Sequence, residues 1–559
     1  MSTKMLSPLG IIAKILMITF FSSTLFNCVK PPIAIAFSSK TIYVDAANFA
    51  DPYQDGSLEH PFDTIQEAVD VADAGDIIFV KAGIYNEYVQ IAKSSISLIG
   101  QNGTVIDGGG KRNGIRIGAL PPNYAENVYI VDFTIRNCVK GVVLVRCRHA
   151  HFKNISMIDN LYNFADYSLQ ENDIDASNTV DGKPIYYWVN VHGKQVPEDA
   201  GFVALVNCTG IVIKNLNLTR NGQGIILKNT RESIIEGVNV SSNWDGIYLE
   251  KESKNNKIIN CIVKRNLFMG IYISASSANT ISSNLISENE YGIFLDESSS
   301  LNIILNNTLE TNDYGLYFRG EANKILTKNI VEANTVKNNS VGISLHFSQE
   351  NLIFLNNFVN NSQQVLSGDS VNIWDYYNEG NYWSDYLGED LNDDGIGDSA
   401  YIIGENDQDN NPLMGFSSFF SVTWNGDSYP IMVVCTSQIS EFCFIQPEKT
   451  ILLAVTNLNQ MKGFCRLTIP TVLLGEPYKA YVNDVQISSF SQSSNGTHIT
   501  LYIKFNQNVQ QVKVVGTTVI SEFSSFMLIS FLICTFIVLC LMLKMKFKSE
   551  NAESFAMKI

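Results

Sequence analysis

The sequence predicts an all-β protein whose main body is a parallel β-helix, a solenoid in which each coil contains two or three short strands. Three observations support this prediction. A glycine followed by an apolar-x-apolar triplet recurs six times, at steps of 22, 24, 22, 23 and 27 residues. An asparagine stands three or four residues before each of these glycines. The segments between them are short β-branched and aromatic runs without helical spacing.

A fixed period in the low twenties is typical of a solenoid, and the leucine-rich alternative lacks its Leu-x-x-Leu-x-Leu frame. We expect each repeat glycine to occupy a corner with positive φ. We expect the asparagines to stack as a ladder of side-chain amides along the axis. The glycines are Gly224, Gly246, Gly270, Gly292, Gly315 and Gly342, and the asparagines are Asn221, Asn243, Asn266, Asn289, Asn312 and Asn339.

Composition narrows the functional classes. The chain has 559 residues and a net charge of −16, which argues against nucleic-acid binding because that function needs a basic surface. Its ten cysteines show neither a Cys-x-x-Cys pair nor zinc-ligand spacing. Cys435, Cys443 and Cys465 lie close in sequence and could supply one disulfide, although the spacing does not determine which two residues pair.

The N-terminal region predicts export followed by a cap. Residues 1–36 have flanking lysines, an apolar stretch and a small-x-small site, which is typical of a signal peptide; an uncleaved N-terminal anchor is the alternative. Residues 41–100 predict strands and one short amphipathic helix. Asp63 resembles an N-cap, with Gln66 three residues later. Such a helix can cover the apolar end that the first coil of a solenoid exposes.

The predicted β-helix spans 101–365, and residues 159–200 break its period. Insertions in solenoids usually form loops on one face, often the binding face. This one is rich in acidic and aromatic residues, a composition that suits carbohydrate, and we take Tyr186, Tyr187 and Trp188 as candidate carbohydrate-binding residues. The alternative is a loop that packs on its own aromatic residues.

One candidate site for a soft metal precedes the insertion. Alignment of 147–154 with 208–215 places Ala150 and Phe152 inward, so His149 and His151 should point outward together with Cys147. A Cys/His/His set at i, i+2 and i+4 could bind such a metal. The alternative, which we favour, is a polar outer strand face.

Residues 366–415 contain a loop that resembles the first three-quarters of a calcium-binding loop. The candidate ligands are Asp390, Asn392 and Asp394 at places 1, 3 and 5, the carbonyl of Ile396 at place 7, and Asp398 at place 9. Gly395 supplies the sharp turn. Tyr401 replaces the expected glutamate at place 12, so we expect Asp407 or Asp409 to supply the missing ligand. The alternative is a solvated loop of Asx turns.

The C-terminal region predicts a small antiparallel β-sandwich over 416–520, from short strand-like runs separated by Asn-Asp and Asn-Gly turns. Residues 526–543 contain no charge and are just long enough to cross a bilayer as a transmembrane helix. Lysines follow at once, so the tail 544–559 is predicted to be cytoplasmic and the rest of the chain extracellular, on a single-pass membrane protein.

Two longer phrases carry a family resemblance. The cap phrase TIQEAVDVADAGDIIFVKAGIYNEYVQI, the Asn-x-x-Gly-Ile coils and the phrase GNYWSDYLGEDLNDDGIGDSAYIIGENDQDNNPLM resemble the right-handed parallel β-helix family. The most similar branch is that of NosD-like, carbohydrate-binding and sugar-hydrolase-type proteins of archaeal cell surfaces. The resemblance covers about 41–415 and implies a right-handed coil. The NosD label implies copper, although the chain has no Met/His-rich site. Related pectinolytic hydrolases carry a Gly-His-Gly motif, which is absent here.

These observations leave three functional hypotheses. The first is a non-catalytic, membrane-anchored surface protein that binds carbohydrate or cell-envelope components and is stabilised by calcium. The second is a polysaccharide lyase or glycoside hydrolase, for which Asp296 and Glu297, or the acids of the insertion, are candidate catalytic residues. The third is a copper-related periplasmic protein of the NosD type.

Overall fold

The computed structural model describes residues 39–168, 170–424, 426–456, 463–505 and 509–519. The predicted signal peptide, transmembrane helix and cytoplasmic tail lie outside these residues. Within the described ranges, no helix is long and apolar enough to cross a bilayer.

The C-terminal half of the solenoid has three parallel sheets, which we name the wide, second and third faces. The wide face consists of Lys183–Val189, Phe202–Val206, Gln223–Lys228, Asp245–Glu250, Met269–Ser274, Tyr291–Asp296, Tyr314–Arg319, Val341–His346 and Gln363–Gly368. The second face consists of Val212–Lys214, Ile234–Glu236, Lys257–Ile259, Thr280–Ser282, Ile303–Leu305, Leu326–Thr327, Ile330–Glu332, Ser348–Phe354 and Val371–Ile373. The third face consists of Asn217–Thr219, Asn239–Ser241, Ile262–Lys264, Leu285–Ser287, Thr308–Glu310, Thr335–Lys337, Asn357–Val359 and Tyr382–Trp383.

The N-terminal half is a second stack of parallel strands with its own core. Its strands are Thr41–Val44, Ile77–Val80, Gly83–Tyr85, Val89–Ile91, Ser97–Gly100, Thr104–Asp107, Ile115–Ile117, Ala125–Glu126, Tyr129–Arg136, Lys140–Leu144, Cys147–Arg148, His151–Ile158, Tyr162–Asp166, Asp173–Ile174 and Thr179–Val180. The predicted cap helix is Ile65–Val71, with a 3-10 turn at Ala46–Asn48. Its N-cap is Thr64, whose hydroxyl accepts the N–H of Glu67, so the predicted capping pair is shifted by one residue.

The first strands of the wide face separate the two cores. Side chains alternate along a strand, so Val203 and Leu205 face the C-terminal core while Phe202, Ala204 and Val206 face the N-terminal core. The wide face is therefore covered on its outer side at this end. It becomes free on that side only in later coils.

Residues 159–200 do not form the expected loop. Tyr162–Asp166 pairs in parallel with Lys140–Leu144, and Lys183–Val189 pairs in parallel with Phe202–Val206. Two short strands between them pair with His151–Ile158. The segment thus extends the coils with longer turns. Extra turn residues break the sequence period without breaking the strand stacking.

The asparagine ladder is confirmed, and three such ladders run through the described part of the solenoid. In each, the side-chain carbonyl of one asparagine accepts the backbone N–H of its counterpart one coil earlier at about 3 Å, as Asn302 does for Asn279. The ladders are Asn221, Asn243, Asn266, Asn289, Asn312, Asn339 and Asn361; Asn256, Asn279, Asn302, Asn329, Asn351 and Asn372; and Asn284, Asn307, Asn334, Asn356 and Asn381.

The expected role of the repeat glycines is wrong. None of the six has positive φ, and the left-handed corners belong to other residues such as Asn260 and Ser283. A Cβ on Gly246 would lie 2.2 Å from the carbonyl oxygen of Gly270, and one on Gly292 would lie 2.4 Å from that of the next glycine. Glycine is therefore required by the close approach of successive coils.

The C-terminal β-sandwich is present. Its first sheet consists of Phe416–Trp424, Asp427–Cys435, Gly463–Pro470, Ser491–Ser494 and His498–Phe505. Its second sheet consists of Gln438–Ile445, Thr450–Thr456, Lys479–Val482, Val485–Gln486 and Gln511–Val515. Both sheets share one core, and the remaining elements are the hairpin Tyr401–Gly404 with Asp407–Asp409, the 3-10 turn Gln446–Glu448, and the pair Leu474–Gly475 with Thr518–Val519. The disulfide joins Cys435 and Cys465 on neighbouring strands.

Candidate functional site

The outer side of the wide face carries a row of aromatic side chains. In each apolar-x-apolar triplet the two apolar residues are buried in the core, as Ile293 and Leu295 are, so the middle residue points outward. In four consecutive coils this middle residue is aromatic and the strands are in register. Further aromatic residues stand at the start of these strands. We define the aromatic patch as Trp244, Tyr248, Phe268, Tyr272, Tyr291, Phe294, Tyr314 and Tyr317.

The rings of the patch pack against one another. Phe294 is 2% exposed and forms the floor, with ring centroids 5.3 Å from Tyr272 and 4.8 Å from Tyr317. Tyr291 and Tyr314 are half-buried and stack in parallel, with centroids 5.2 Å apart and planes inclined by 9°. The packing holds these rings in fixed positions and leaves part of their surface open to a ligand.

Carboxylates border the patch at the start of the strands. Glu290 precedes Tyr291, and Asp313 precedes Tyr314. Burial, together with the charge of Glu290, raises the pKa of Tyr291 to about 12, so its hydroxyl stays protonated at neutral pH. We call Glu290 and Asp313 the acidic edge.

A basic group borders the patch at the other end of the strands. Arg319 is paired with Asp296 on the preceding coil, and its guanidinium carbon lies 4.8 Å from the centroid of the Phe294 ring. Asp296 also accepts the hydroxyl of Tyr272 at 3.2 Å. His346 is next to Arg319 in register on the following coil. We call Arg319 and His346 the basic edge.

The N-terminal half of the solenoid closes the first coil of the patch. The Lys140 ammonium lies 3.9 Å from the centroid of the Trp244 ring and 2.9 Å from the hydroxyl of Tyr167. Asp245 is beside this cluster and is 1% exposed. Burial raises the pKa of Asp245 to about 7, while the N–H of Met269 and the charge of Lys140 act in the opposite direction.

The predicted carbohydrate-binding residues are only partly available. Tyr187 is buried in the N-terminal core, and its hydroxyl contacts Asp166 at 2.8 Å and the carbonyl oxygen of Gln170 at 2.6 Å. Tyr186 and Trp188 are half-buried, with ring centroids 6.1 Å apart. Tyr187 is therefore a core residue, because alternation along the strand turns it away from its two neighbours.

Asp296 and Glu297 do not form a pair of cooperating carboxylates. Asp296 is engaged by Arg319 and Tyr272 and also accepts the backbone N–H of Glu297. Glu297 has a left-handed φ of 49°, is exposed, and lies 3.6 Å from Lys324. The corner after the strand turns the second carboxylate away from the first.

The Cys/His/His set is not assembled either. Cys147 is buried in the N-terminal core, and burial raises the pKa of its thiol to about 12. His149 is exposed, whereas His151 stacks on Tyr129 with ring centroids 4.2 Å apart. The prediction placed Cys147 outward, but the left-handed φ of 53° at His149 breaks the alternation between the strands Cys147–Arg148 and His151–Ile158.

The calcium-like loop has the predicted turn, but its carboxylates are not arranged as a complete set of metal ligands. Gly395 has a φ of 81°, as the sharp turn requires. The carboxylate of Asp390 accepts the backbone N–H groups of Asp394 and Gly395 at 3.1 and 2.9 Å. Asp398 accepts that of Leu391 at 2.6 Å. Across the described part of the chain, no three His, Cys, Asp or Glu side chains are grouped to hold a metal ion.

Asp407 and Asp409 lie elsewhere, at the ends of two asparagine ladders. Asp407 accepts the indole N–H of Trp374 at 2.6 Å and the backbone N–H of Asn372 at 3.3 Å. Asp409 accepts the indole N–H of Trp383 at 2.9 Å and the backbone N–H of Asn381 at 2.7 Å. Both are buried. They take the place of the next asparagine in each ladder and do not complete the calcium-like loop.

Several residues of the site were missed from the sequence, although a signal was present. The middle position of the repeat triplet is aromatic in four consecutive coils, at Tyr248, Tyr272, Phe294 and Tyr317. No sequence repeat indicated the acidic and basic edges. Their charged residues become neighbours only because the ends of successive strands lie in register.

The three stacked parallel sheets define a right-handed parallel β-helix protein. Its central part is NosD-like: the family described as periplasmic copper-binding protein (NosD) matches residues 165–330 and 323–388. The predicted family resemblance is thereby confirmed for this part of the chain.

Known proteins with shorter or weaker similarity were also found. Two probable ABC transporter binding proteins NosD, from Stutzerimonas stutzeri and Pseudomonas aeruginosa, are 45% and 42% identical over 80 residues, 14% of this chain. The match covers 18% and 19% of those proteins, so the similarity spans less than a fifth of their length. The A-module of the Azotobacter vinelandii mannuronan C-5 epimerase AlgE6 matches with a TM-score of 0.24 and 13% identity, over 56% of this chain and 94% of that one. The Dettilon tailspike protein matches with a TM-score of 0.28 and 13% identity, over 85% and 93%.

The residues present do not fit the copper that the NosD description names. Soft thiolate and imidazole ligands are the groups that copper prefers. Here Cys147 is a buried thiol, and His151 is engaged by Tyr129 and by Asp173 at 3.0 Å. We therefore derive no copper chemistry for the described residues.

Proposed function

We propose that this protein is a non-catalytic, NosD-like β-helix protein of the cell exterior that binds carbohydrate through the aromatic patch. One observation carries the proposal: Tyr291 and Tyr314 are held in parallel on the outer side of the wide face, each next to a carboxylate. Sugar rings stack on such aromatic faces, and their hydroxyls donate to carboxylates. The fixed side chains also lower the entropy that binding costs.

The proposal includes a membrane anchor. The uncharged segment 526–543 and the lysines after it support a single-pass helix with the body of the protein outside. The signal-like residues 1–36 support export. The printed family description, a periplasmic protein, agrees with a body outside the cytoplasm.

The binding proposal is tested by removing the two stacked rings. We expect the double variant Tyr291→Ala and Tyr314→Ala to bind glycans at least tenfold more weakly than the wild type in a glycan array and in affinity electrophoresis. The matched control is Tyr377→Ala, because that tyrosine is 84% exposed and lies outside the patch. Equal binding by the wild type and the double variant would contradict the proposal. Release of new reducing ends or unsaturated uronates from any polymer would instead show an enzyme.

We also propose that calcium stabilises the loop 390–398. Its oxygen donors are of the type that calcium prefers, and Asp390, Asn392, Asp394, Asp398 and the carbonyl of Ile396 would hold the ion. Mutual repulsion of its carboxylates would then be relieved by the bound charge. We expect a chelator to lower the melting temperature of the wild type but not that of the variant Asp390→Ala with Asp394→Ala. A wild-type melting temperature that does not respond to chelator or to added calcium would contradict this role.

A further inference from the structure

We infer that Arg319 makes the basic edge of the patch select acidic polysaccharides, whose carboxylate or sulfate groups it binds. This inference rests on the proposed function, since it assigns a ligand class to the same aromatic patch. It adds a specificity-determining residue and a charge requirement that the stacking rings alone do not supply.

The geometry of Arg319 suits an anionic group on a sugar. One of its nitrogens is held by Asp296, and its side chain is 52% exposed. Within the described residues, the Nε and Nη1 groups of Arg319 make no hydrogen bond. A guanidinium has five N–H donors in one plane, so Arg319 keeps donors for a carboxylate or sulfate beyond the one that Asp296 holds.

The support beneath Arg319 fixes its position. Asp296 has a side chain that is only 9% exposed, and it is itself held by the hydroxyl of Tyr272 and the backbone N–H of Glu297. The ring of Phe294 lies under the guanidinium. Arg319 is therefore held at the margin of the aromatic patch before a ligand arrives, which reduces the entropy lost on binding.

The acidic edge does not cancel this preference. Asp313 and Arg319 are six residues apart on an extended strand, which corresponds to about 20 Å. The Debye length at physiological ionic strength is about 8 Å, so exposed charges that far apart are largely screened from each other. The net charge of −16 is spread over the chain, and those of its charges that lie farther than this from a ligand are screened in the same way. A ligand at the basic edge thus responds mainly to Arg319 and its immediate neighbours.

Two exposed cations, Arg319 and Lys324, lie at this margin and each is paired with a carboxylate, but Arg319 is the one that lies over the ring of Phe294. The carboxylate of Asp296 lies beneath Arg319, and Glu297 pairs with Lys324 at 3.6 Å. His346 contacts the hydroxyl of Ser344 at 3.2 Å. Tyr317 lies two residues before Arg319 on the same side of the strand, so an acidic sugar whose ring stacks on Tyr317 would bring its anionic group to this margin.

The experiment compares matched polymers on the full-length protein in detergent. The probes are polygalacturonate, the same polymer with its carboxylates reduced to alcohols, dextran, and dextran sulfate. We expect the wild type to bind polygalacturonate or dextran sulfate at least tenfold more tightly than its neutral counterpart, with the difference shrinking at high salt. The sulfated and carboxylated arms distinguish which anionic group is preferred.

The variants separate the role of Arg319 from a structural one. We expect Arg319→Gln to bind the acidic polymer no more tightly than the neutral one, and Arg319→Lys to retain part of the preference. The matched control is Arg265→Gln, because Arg265 also forms an ion pair with a carboxylate on a neighbouring coil, Glu288, but lies outside the patch. We expect this control to keep the full preference. Far-UV circular dichroism verifies that each variant is folded.

The outcomes distinguish this inference from the proposed function. If the wild type binds neutral and acidic polymers equally, or if Arg319→Gln keeps the preference, the inference is wrong while carbohydrate binding through the stacked rings can still stand. If no glycan binds and the loss of Tyr291 and Tyr314 changes nothing, the proposed function itself is wrong.

Discussion

Two aspartates end the asparagine ladders, and their surroundings differ. Asp409 accepts four N–H groups, from Asn381 twice, Trp383 and Asn411. Asp407 uses only its Oδ1 atom, and its Oδ2 atom is buried with no hydrogen-bond partner within the described residues. A ladder asparagine would place a donating Nδ2 group there, as Asn372 does toward the carbonyl of Ser348.

This difference predicts opposite effects for one substitution at the two sites. We expect Asp407→Asn to stabilise the protein at pH 7, because an amide donor replaces a buried oxygen without a partner. We expect Asp409→Asn to destabilise it by about 1–3 kcal/mol, because an amide N–H₂ would then face N–H donors. Urea-induced unfolding at pH 7 measures both changes. Equal losses of unfolding free energy in the two variants would contradict this difference, because they would show that the Asp407 carboxylate accepts hydrogen bonds as the Asp409 carboxylate does.

The pH dependence of stability provides the second test of these residues. Burial raises the pKa of both Asp407 and Asp409 to about 6 in the folded state. The folded protein therefore binds more protons than the unfolded chain between about pH 4 and 6, and this contribution to stability is lost as the pH rises through that window. We expect Asp407→Asn to flatten the decline in unfolding free energy over this range.

At the scale of the coil, the ladders replace the hydrogen bonds that the corners cannot make. Asn302 accepts the backbone N–H of Asn279 and donates to the carbonyl of Ser276 at 3.1 Å, and it is fully buried. We expect Asn302→Ala to cost about 1–3 kcal/mol of unfolding free energy, because it leaves buried backbone groups without partners. Asn217→Ala is the control, since Asn217 is exposed on a strand. A loss at Asn302 no larger than at Asn217 would contradict a stabilising role for the ladder.

The repeat explains what the sequence could predict about the coils. Asn243 and Gly246 recur at a nearly constant interval because every coil repeats the same contacts with the next coil, so the solenoid and one ladder were predictable. The role of Gly246 was not, because its constraint is the carbonyl oxygen of Gly270 on the next coil and not its own φ. Local sequence carries the backbone preferences of a residue, whereas contacts between coils appear only once the coils are stacked.

At the scale of the whole molecule, the features that the sequence missed are those set by distant contacts. Tyr187 was expected at a binding surface, but the two halves of the solenoid meet at its strand and bury it. Asp407 was expected at the calcium-like loop, but stacking of the coils places it beneath Trp374. For both residues, the side-chain type correctly indicated that polar contacts would form. The residues that make those contacts lie more than 20 positions away in the sequence or on another sheet, so the sequence did not identify them.

A buried arginine lies at the joint between solenoid and sandwich. Arg466 of the sandwich is 3% exposed, contacts Glu379 of the solenoid end at 2.5 Å, and donates to the carbonyl of Asp394 at 3.2 Å. Burial raises the pKa of Glu379, while the charge of Arg466 acts in the opposite direction. The charge of Arg466 therefore offsets part of the effect of burial, which disfavours the ionised form of Glu379.

The pairing of Arg466 with Glu379 predicts that loss of the arginine alone destabilises the protein more than loss of both residues. We expect Arg466→Met to cost about 3 kcal/mol of unfolding free energy, because Glu379 is left largely buried without its counter-charge. We expect the double variant Arg466→Met with Glu379→Leu to recover most of that loss, since replacing both charges by apolar groups removes the unpaired carboxylate. The control is Lys254→Met, whose partner Glu252 is 3.7 Å away on the surface and for which we expect a change below about 1 kcal/mol. Urea-induced unfolding followed by fluorescence measures all three variants. If the double variant is as unstable as the single one, the arginine stabilises the joint through its packing and its bond to Asp394, and the pairing with Glu379 is incidental.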